Sequence, residues 1–527
     1  MPDKKAIIVG LVSSLMIFII LFFGGIYLLR DPLLKETITF SFTASMIASQ
    51  YPLPYSRAQA LKAAQDAMLE TLDPFTNRIR SDQYNLLIEE SSGKYGGIGM
   101  IAAPKDSFIL VMSVIEDGPA ERAGIERGDR IRAINNQKFF NMSPQEAGNL
   151  MRGAVGTNLS LTLLKLRSGE EVDLEIIREI VKLKHIPYYG VTEDNIGYLK
   201  ISDFEAGTSA EIENCVNELE DENVIGYIID VTGNPGGFLE EAVSAADIFL
   251  DPNQLIVGTD SQSKWACNSY RSLRRKLTDK PIVILTDINT ASSAEIFTGA
   301  IRGAGRGIIV GDTTYGKGLV QAHYNLQNGD ALRLTISRYY FADGRYLNPP
   351  DSELSFSGLA PDIALKQNVE RKFNQYITST FFLYDFILEN WPELSQYPSN
   401  FRYPDTVISM LEHFADVYDS QYVSGTTTGI ETILSYLSFE SPASPIEKKI
   451  GNLRELSVNA DRNSFGRYED LVEFHLRRIV TEWKSGPDET YHHVIVPGRI
   501  DIRLAAELLL DIDKYEAILS EDVHMEI

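Results

Sequence analysis

The stretch between residues 224 and 312 most constrains the fold, because it alternates short apolar segments with segments of helical periodicity. The apolar segments are Val224–Val231, Pro281–Asp287 and Gly307–Asp312. Continuous apolar runs of this length are typical of strands buried on both faces, and such strands form parallel sheets joined by helical crossovers. The sequence therefore predicts an α/β core with a mainly parallel sheet over residues 181–365.

The segments that flank this core have other patterns. Residues 36–93 show the helical spacing of apolar side chains, with a cap-like serine at Ser56. Residues 94–180 alternate strand-like runs with two short helical segments, which predicts a small mixed α/β module. Residues 366–527 contain amphipathic segments such as Asp501–Leu519, and they predict a mostly α-helical C-terminal region.

The N-terminus begins with a short basic leader, residues 1–5, and continues with an uncharged run, residues 6–29. As a helix at about 1.5 Å per residue, this run is long enough to cross a bilayer. A cleaved signal peptide has a shorter apolar core and a small-residue exit site, whereas this run ends in Tyr27-Leu28-Leu29-Arg30. We therefore predict a transmembrane signal anchor at residues 6–29, with a cytoplasmic leader and the remaining chain outside the cytoplasm.

Composition excludes some classes of function. The 527 residues carry a formal net charge of −24, which argues against nucleic-acid binding because that function needs a basic face. The two cysteines, Cys215 and Cys267, could form one disulfide, but the chain has no C-x-x-C motif or Cys/His cluster. A structural zinc site is therefore not expected.

The stretch "GDTTYGKGLVQ" fits the phosphate-loop pattern through Gly311, Gly316 and Lys317. A working phosphate loop needs Ser or Thr after the lysine and then a helix that faces the phosphates, but Gly318 and a strand-like segment follow here. A nucleotide-dependent enzyme is therefore a weak alternative. A lysine between two glycines can instead be a desolvated base that accepts a proton from a serine.

The best candidate for that serine is Ser292, at the start of a predicted helix that follows the apolar segment Pro281–Asp287. The N–H groups at a helix N-terminus can stabilise a nearby oxyanion. A structural interpretation is also open, in which Ser292 only caps the helix and Glu295 completes a capping box.

The stretches "TASSAEIFTGA" and "TYGKGLVQ" resemble the carboxy-terminal processing peptidases, which are tail-specific serine proteases. In that family a lysine follows the serine by about 25 residues, and a Gln or Glu follows the lysine by four, as Lys317 and Gln321 follow Ser292 here. Further family segments occur in family order, namely "GDRIRAINN", "IGYLKISDF", "NPGG", "LTISRYYFADGRYL" and "GLAPDI". The resemblance covers roughly residues 36–365 and leaves out the C-terminal third.

The resemblance implies a ClpP/crotonase-like protease core with an inserted PDZ domain at residues 94–180. It implies that Ser292 is the nucleophile, that Lys317 is the general base and that Gln321 orients the lysine amine. The backbone N–H groups of Gly236 and Ser293 would form the oxyanion hole. No metal or organic cofactor would be needed.

Within the PDZ domain the segment "YGGIG" resembles the carboxylate-binding loop. The resemblance implies that its residues hold the terminal carboxylate of a protein or peptide substrate, while the substrate adds to the sheet as a strand. These residues are Tyr95, Gly96, Gly97, Ile98 and Gly99. The alternative is that the module is a rigid spacer.

The chain departs from the family at one place. The family pattern D-L-R-x-N-P-G-G ends at the oxyanion-hole glycines, but this chain has Thr232 where the pattern has arginine. The contacts that support the loop are therefore not those that the family would predict.

We predict a membrane-anchored, extracytoplasmic serine endopeptidase that cleaves near protein C-termini, and the short leader suggests a periplasmic, bacterial enzyme. The alternative, a binding protein and not an enzyme, is an inactive PDZ scaffold that binds partner C-termini. A Ser-His-Asp triad using His185 or His323 is the mechanistic rival, and Ser293 is the second choice of nucleophile. Residues 366–527 could form a homo-oligomer or adaptor contact.

Overall fold

The computed structural model describes residues 31–91, 94–105, 107–138, 144–182, 184–348, 357–365, 370–417, 425–440, 445–462, 467–520 and 525–526. The predicted transmembrane anchor, residues 6–29, and the leader before it lie outside the described residues. Within the described ranges, no helix has both the length and the apolar character needed to cross a membrane.

The chain forms two compact units, which divide between Arg78 and Ile79. The described part of the first unit contains helices α1 (Pro32–Gln50) and α2 (Arg57–Glu70), and strand β1 (Asn77–Ile79) lies at the boundary. Ser56 is the N-cap of α2, as predicted, since its hydroxyl accepts a hydrogen bond from the Gln59 N–H at 3.3 Å. Helix α1 buries none of its side chains.

The second unit begins with helix α3 (Ser81–Ser91) and the mixed α/β module. Its strands are β2 (Lys94–Gly97), β3 (Met100–Lys105), β4 (Phe108–Val114), β5 (Arg130–Ile134), β6 (Gln137–Lys138), β7 (Asn158–Leu164), β8 (Glu171–Ile177) and β9 (Glu179–Lys182), with helices α4 (Pro119–Arg122) and α5 (Pro144–Met151). Strands β3 to β8 form an antiparallel sheet in the order β3-β4-β5-β7-β8, with β6 beside β5, while β2 pairs with β9. Its core includes the fully buried Ile109, Ile131 and Leu161.

Residues 184–348 and 357–365 form the α/β core. The strands are β10 (Tyr188–Val191), β11 (Gly197–Lys200), β12 (Tyr227–Asp230), β13 (Leu255–Asp260), β14 (Ser269–Arg271), β15 (Ile282–Thr286), β16 (Gly307–Gly311), β17 (Leu319–Asn325), β18 (Ala331–Tyr340) and β19 (Ile363–Ala364), and the helices are α6 (Thr208–Asp221), α7 (Leu239–Asp247) and α8 (Ser293–Gly303). In the main sheet, β11, β12, β15, β16 and β19 pair in parallel, and only β10 is antiparallel to its neighbour. The predicted mainly parallel sheet is therefore confirmed.

A second, antiparallel sheet contains β13, β14, β17 and β18. Strands β17 and β18 form a hairpin whose turn includes Gly329 at φ +86°, a left-handed conformation that glycine adopts without strain. The hairpin matters for function because β17 begins two residues after Lys317.

The C-terminal region is helical, as predicted. It contains α9 (Glu370–Ser379), α10 (Phe382–Leu394), α11 (Asp405–Val417), α12 (Gly425–Glu440), α13 (Pro445–Arg462), α14 (Glu469–Ser485), α15 (Pro487–Thr490), a π-helical turn (Tyr491–Ile495), α16 (Val496–Gly498), α17 (Ile500–Leu510) and α18 (Ile512–Ser520), and then β20 (Met525–Glu526), which pairs with β19. The amphipathic segment Asp501–Leu519 forms two helices, because Asp511 leaves the helical conformation at φ −107° and ψ 79°.

This region packs against both earlier parts of the second unit. One cluster joins side chains of α9, α10, α11 and α14 to Leu110 of β4. Another places Leu508 and Leu509 of α17 against Ile228 and Val283 of the main sheet. Since neighbouring residues of a strand point to opposite faces, Ile229 and Ile284 face the other cluster, which α6, α7 and α8 cover. The C-terminal region is therefore one layer of the protease core.

Candidate active site

Ser292 lies at the turn between β15 and α8 and is the N-cap residue of that helix. Its backbone has φ +56° and ψ −118°, a conformation that side-chain-bearing residues rarely adopt. Such strain costs on the order of 1–3 kcal/mol and persists where the surrounding structure enforces it, often at functional sites. The half-buried Ser292 side chain is thereby presented at the lip of a cleft.

Glu295, one helical turn further on, connects Ser292 to the segment that carries Lys317. Its carboxylate accepts hydrogen bonds from the N–H groups of Ser292, Gly316 and Lys317, at 2.7–2.8 Å, and from the Thr314 hydroxyl at 2.5 Å. Burial raises the pKa of the Glu295 carboxyl, while these four donors act in the opposite direction. The Glu295 half of the predicted capping box is present, and the same carboxylate also fixes the lysine segment.

Tyr339 of β18 is a second connection that sequence reasoning missed. Its buried hydroxyl donates to the Ser292 carbonyl at 3.2 Å and also contacts the Lys317 carbonyl. In the sequence, Tyr339 is recognisable only as one tyrosine of a segment that resembles the family. Nothing local in the sequence indicates that its hydroxyl lies between two chain segments.

Lys317 follows Gly316 and leads into β17, so no helix opens after it. The phosphate-loop arrangement therefore does not form. Lys317 and Ser292 line the same cleft, which has a volume of about 550 Å³. Gln321 lines it as well, from β17.

The predicted oxyanion-hole residues lie next to Ser292, with one difference from expectation. Gly236, at φ +98°, approaches so closely that a Cβ there would be 2.8 Å from the Ser292 Cβ and the Ser293 nitrogen. However, the Gly236 N–H donates to the buried Asn234 side chain at 2.8 Å, and it is Gly237 that lines the cleft. In the described part of the chain, the N–H groups of Gly237 and Ser293 have no acceptor.

The Ser293 side chain is placed unlike that of a nucleophile. It is buried, with 2% of its surface exposed, and its hydroxyl donates to the Gly237 carbonyl at 2.8 Å. This bond ties the glycine segment to the start of α8, and it favours Ser292 over Ser293 as the reactive hydroxyl.

The two candidate histidines differ in position. His323 lines the cleft from β17, and burial lowers the pKa of its imidazole. No carboxylate within the described ranges hydrogen-bonds to its ring, which instead packs edge-on against Tyr84. His185 hydrogen-bonds to Asp203 at 2.6 Å, which raises its pKa, but it does not line the cleft. Neither histidine forms the arrangement of a Ser-His-Asp triad.

Apolar side chains also line the cleft. Trp265, Phe238, Ile336 and Leu319 line it, and Trp265 is 66% exposed. An exposed tryptophan beside a candidate nucleophile provides a surface on which apolar substrate side chains can pack.

The predicted carboxylate-binding residues lie in the α/β module and not in this cleft. Tyr95, Gly96 and Gly97 belong to β2, and Ile98 and Gly99 form the turn into β3. Gly99 has φ +77°, and the N–H groups of Ile98 and Gly99 have no acceptor in the described structure. Strand β3 is an edge strand of its sheet and lies beside α5.

The cysteines do not pair. Cys215 is buried, Cys267 is exposed, and both are free thiols. Burial raises the pKa of the Cys215 thiol to about 12, which makes it an inert core residue.

Comparison with known proteins matches two parts of the chain to protein families. Residues 195–365 match peptidase family S41, and residues 110–165 match a PDZ domain, which leaves residues 95–99 outside the matched part. A carboxy-terminal-processing protease of Bartonella bacilliformis is 30% identical over 347 residues, covering 65% of this chain and 78% of the relative. The carboxy-terminal processing protease CtpA of Bacillus subtilis is 31% identical over 319 residues, covering 60% and 68%.

Among solved structures, a photosystem II D1 C-terminal processing protease matches 62% of this chain and 86% of its own, with 23% identity and a TM-score of 0.38. The sequence matches define a serine-type endopeptidase with a PDZ domain. The chain belongs to the carboxy-terminal processing proteases of peptidase family S41. The relatives from Bartonella and Bacillus are bacterial, in agreement with the expected bacterial origin.

Proposed function

We propose that this C-terminal processing protease cleaves proteins by a Ser-Lys dyad, with Ser292 as the nucleophile and Lys317 as the general base. The observation that carries the proposal is that both residues line one cleft while their backbone N–H groups donate to the same carboxylate oxygen of Glu295. Gln321, two residues into β17, is proposed to orient the lysine amine.

In the proposed reaction the Ser292 Oγ attacks the scissile carbonyl carbon, and its proton passes to the neutral Nζ of Lys317. The carbon–nitrogen bond then breaks, and the leaving amine takes that proton from the Lys317 ammonium. Water enters, gives a proton to Lys317 and attacks the acyl-enzyme carbonyl carbon. The ester carbon–oxygen bond then breaks, Lys317 returns the proton to the Ser292 Oγ, and the new C-terminal carboxylic acid is released.

The oxyanion of this reaction needs two donors beside Ser292. We propose the N–H of Ser293 together with the glycine pair, for which Gly236 was predicted. Because the Gly236 N–H already donates to Asn234, its participation requires a shared hydrogen bond or a rotation of the peptide group. Gly237 is the alternative donor, since it lines the cleft and its N–H has no acceptor among the described residues.

The PDZ domain is proposed to hold substrate C-termini at residues 95–99, with the substrate chain added to the edge of β3. The proposed domains are the PDZ domain at residues 94–180, a ClpP/crotonase-like protease core at 181–365 preceded by helical residues 36–93, and the helical region at 366–527. Residues 6–29 are proposed to anchor the enzyme so that the protease lies in the periplasm or otherwise outside the cytoplasm. A homo-oligomer or adaptor contact through residues 366–527 stays a prediction, which sedimentation of the purified full chain tests.

The test uses the purified full chain in detergent and an unfolded protein with an apolar C-terminus. Ser292→Ala and Lys317→Ala should each abolish cleavage, whereas Ser293→Ala should only reduce it, through loss of the bond to the Gly237 carbonyl, and His323→Gln should retain it. Cleavage that survives Lys317→Ala but not His323→Gln would contradict the dyad. Binding of the tail without cleavage by the wild type would instead favour the PDZ scaffold.

A further inference from the structure

The glycine pair beside Ser292 is carried by a loop, residues 231–237, whose conformation begins at Asp230. Asp230 ends β12, and its carboxylate accepts hydrogen bonds from the Thr232 N–H at 2.9 Å and the Thr232 hydroxyl at 2.6 Å. These bonds set the first turn of the loop. The loop then passes through the buried Asn234, which holds the Gly236 N–H, to reach the cleft at Gly237.

Three groups hold the Asp230 carboxylate from outside the loop. Tyr198 donates to it at 2.6 Å, Lys200 at 3.0 Å and Arg499 at 2.6 Å. Asp230 is completely buried, and burial alone would raise its pKa, but the Arg499 and Lys200 charges hold that pKa well below its usual range. The carboxylate is therefore a charged group whose position depends on its cationic partners.

Arg499 differs from the other two partners because it comes from the C-terminal helical region. It is the N-cap residue of α17, and its guanidinium lies between the Asp230 carboxylate and Asp501. Its second terminal nitrogen is 3.4 Å from the Thr232 hydroxyl. The Arg499 guanidinium thus contacts Asp501 as well as Asp230 and Thr232, and these contacts together fix its position.

Thr232 is the position where the family pattern has arginine. The loop sequence lacks a guanidinium, but Arg499, 267 positions further along the chain, brings one to the Asp230 carboxylate and the Thr232 hydroxyl. We propose that Arg499 is a positioning residue for the peptidase reaction, which replaces in space the missing arginine of position 232 and holds the loop of residues 231–237 against Ser292. Peptidase activity then requires that α17 be docked on the core.

This inference rests on the proposed function of Ser292, because it concerns the rate of the reaction at that residue. The experiment compares the full chain with Arg499→Met, Arg499→Lys and the double variant Thr232→Arg/Arg499→Met. Tyr515→Phe is the matched control, since Tyr515 also joins the C-terminal region to the main sheet, through its hydroxyl and the Ile282 backbone, but does not touch the loop. The readouts are kcat and KM for a chromogenic peptide and the rate of labelling by a fluorophosphonate.

We expect Arg499→Met to lower kcat and the labelling rate at least tenfold while KM changes less than twofold. Arg499→Lys keeps the charge but loses the contacts with Asp501 and the Thr232 hydroxyl, so it should lower kcat severalfold and lower the melting temperature less than Arg499→Met does. The double variant should recover at least a third of the wild-type kcat, and Tyr515→Phe should keep kcat within twofold. Recovery by an arginine introduced at position 232 is a result that a merely stabilising Arg499 would not produce.

Two results would overturn the inference. One is an Arg499→Met variant that works within twofold of the wild type, and the other is a folded double variant whose kcat stays as low as that of Arg499→Met. If Arg499→Met does not fold, an unchanged kcat in Arg499→Lys would also overturn the inference. An inactive wild type would instead contradict the proposed function, so the two failures are distinguishable.

Discussion

Ser292 and Lys317 donate their backbone N–H groups to the same oxygen, Oε2 of Glu295, at 2.8 Å in both cases. The nucleophile and the proposed base come from different segments, the start of α8 and the loop before β17. This buried carboxylate therefore connects the two main-chain segments, in addition to the connection made by the Tyr339 hydroxyl.

Glu295→Gln is expected to lower kcat roughly 100-fold, because a displacement of about 1 Å between reacting groups has an effect of that size. The amide nitrogen of glutamine would face N–H donors and leave at least one of them without an acceptor. The unfolding free energy should fall by about 2 kcal/mol for the same reason. Peptide kinetics and urea unfolding measure both effects.

The matched control is Thr298→Val, a buried change on the same helix that removes only a bond to the Ala294 carbonyl. It should leave kcat unchanged. An equal loss of kcat in both variants would mean that α8 merely tolerates few substitutions and that Glu295 has no special positioning role.

Backbone strain at Ser292 predicts the relative stability of two inactive variants. Ser292→Gly should be more stable than Ser292→Ala by about 1 kcal/mol, because glycine adopts φ +56° without steric cost and alanine does not. Equilibrium unfolding in urea measures the difference. A Ser292→Ala variant as stable as Ser292→Gly would show that the backbone relaxes when the serine is removed.

Trp265→Ala is expected to raise KM about tenfold with little change in kcat. Truncation of an aromatic side chain at a contact surface commonly costs 1–2 kcal/mol of binding, about the size of this effect, whereas Trp265 contributes no group to the chemical step. Leu273→Ala, at an even more exposed apolar residue outside the cleft, should change neither constant. A fall in kcat alone for Trp265→Ala would be inconsistent with a role of Trp265 in substrate binding.

The lowered pKa of the Asp230 carboxyl predicts that the stability of the fold depends on pH. Because the pKa of Asp230 is lower in the folded chain than the usual value of about 3.9, its ionised form stabilises the fold at pH values above that number. Asp230→Asn should therefore be less stable than the wild type at pH 7, by about 3 kcal/mol, since it leaves two partly buried cations, Lys200 and Arg499, with a weaker partner. The difference should shrink as the pH falls below about 4.

Urea unfolding of both proteins at pH 7 and pH 3 measures this difference. Asp279→Asn, which breaks an ion pair of an exposed carboxylate, is the control and should change stability little at either pH. A stability difference for Asp230→Asn that stays constant between the two pH values would show that Asp230 is not ionised in the folded protein.

The sequence alone determined what depends on short segments. Apolar runs predicted the buried strands β12, β15 and β16, because a strand covered on both faces must be apolar throughout. The position of Ser292 before a helix, and of Lys317 before a strand, followed from local patterns in the same way. The family resemblance, and with it the class of enzyme, rested on the spacing of two such motifs.

Only the tertiary structure decided how these segments are held together. Tyr339 joins two carbonyl groups from different segments, and Arg499 reaches Asp230 from the far end of the chain. A contact between residues so distant in sequence leaves no periodicity or spacing that could be read in advance. The C-terminal region illustrates the physical reason: its amphipathic pattern shows that one face is buried, but which surface covers that face depends on the folding of the whole second unit.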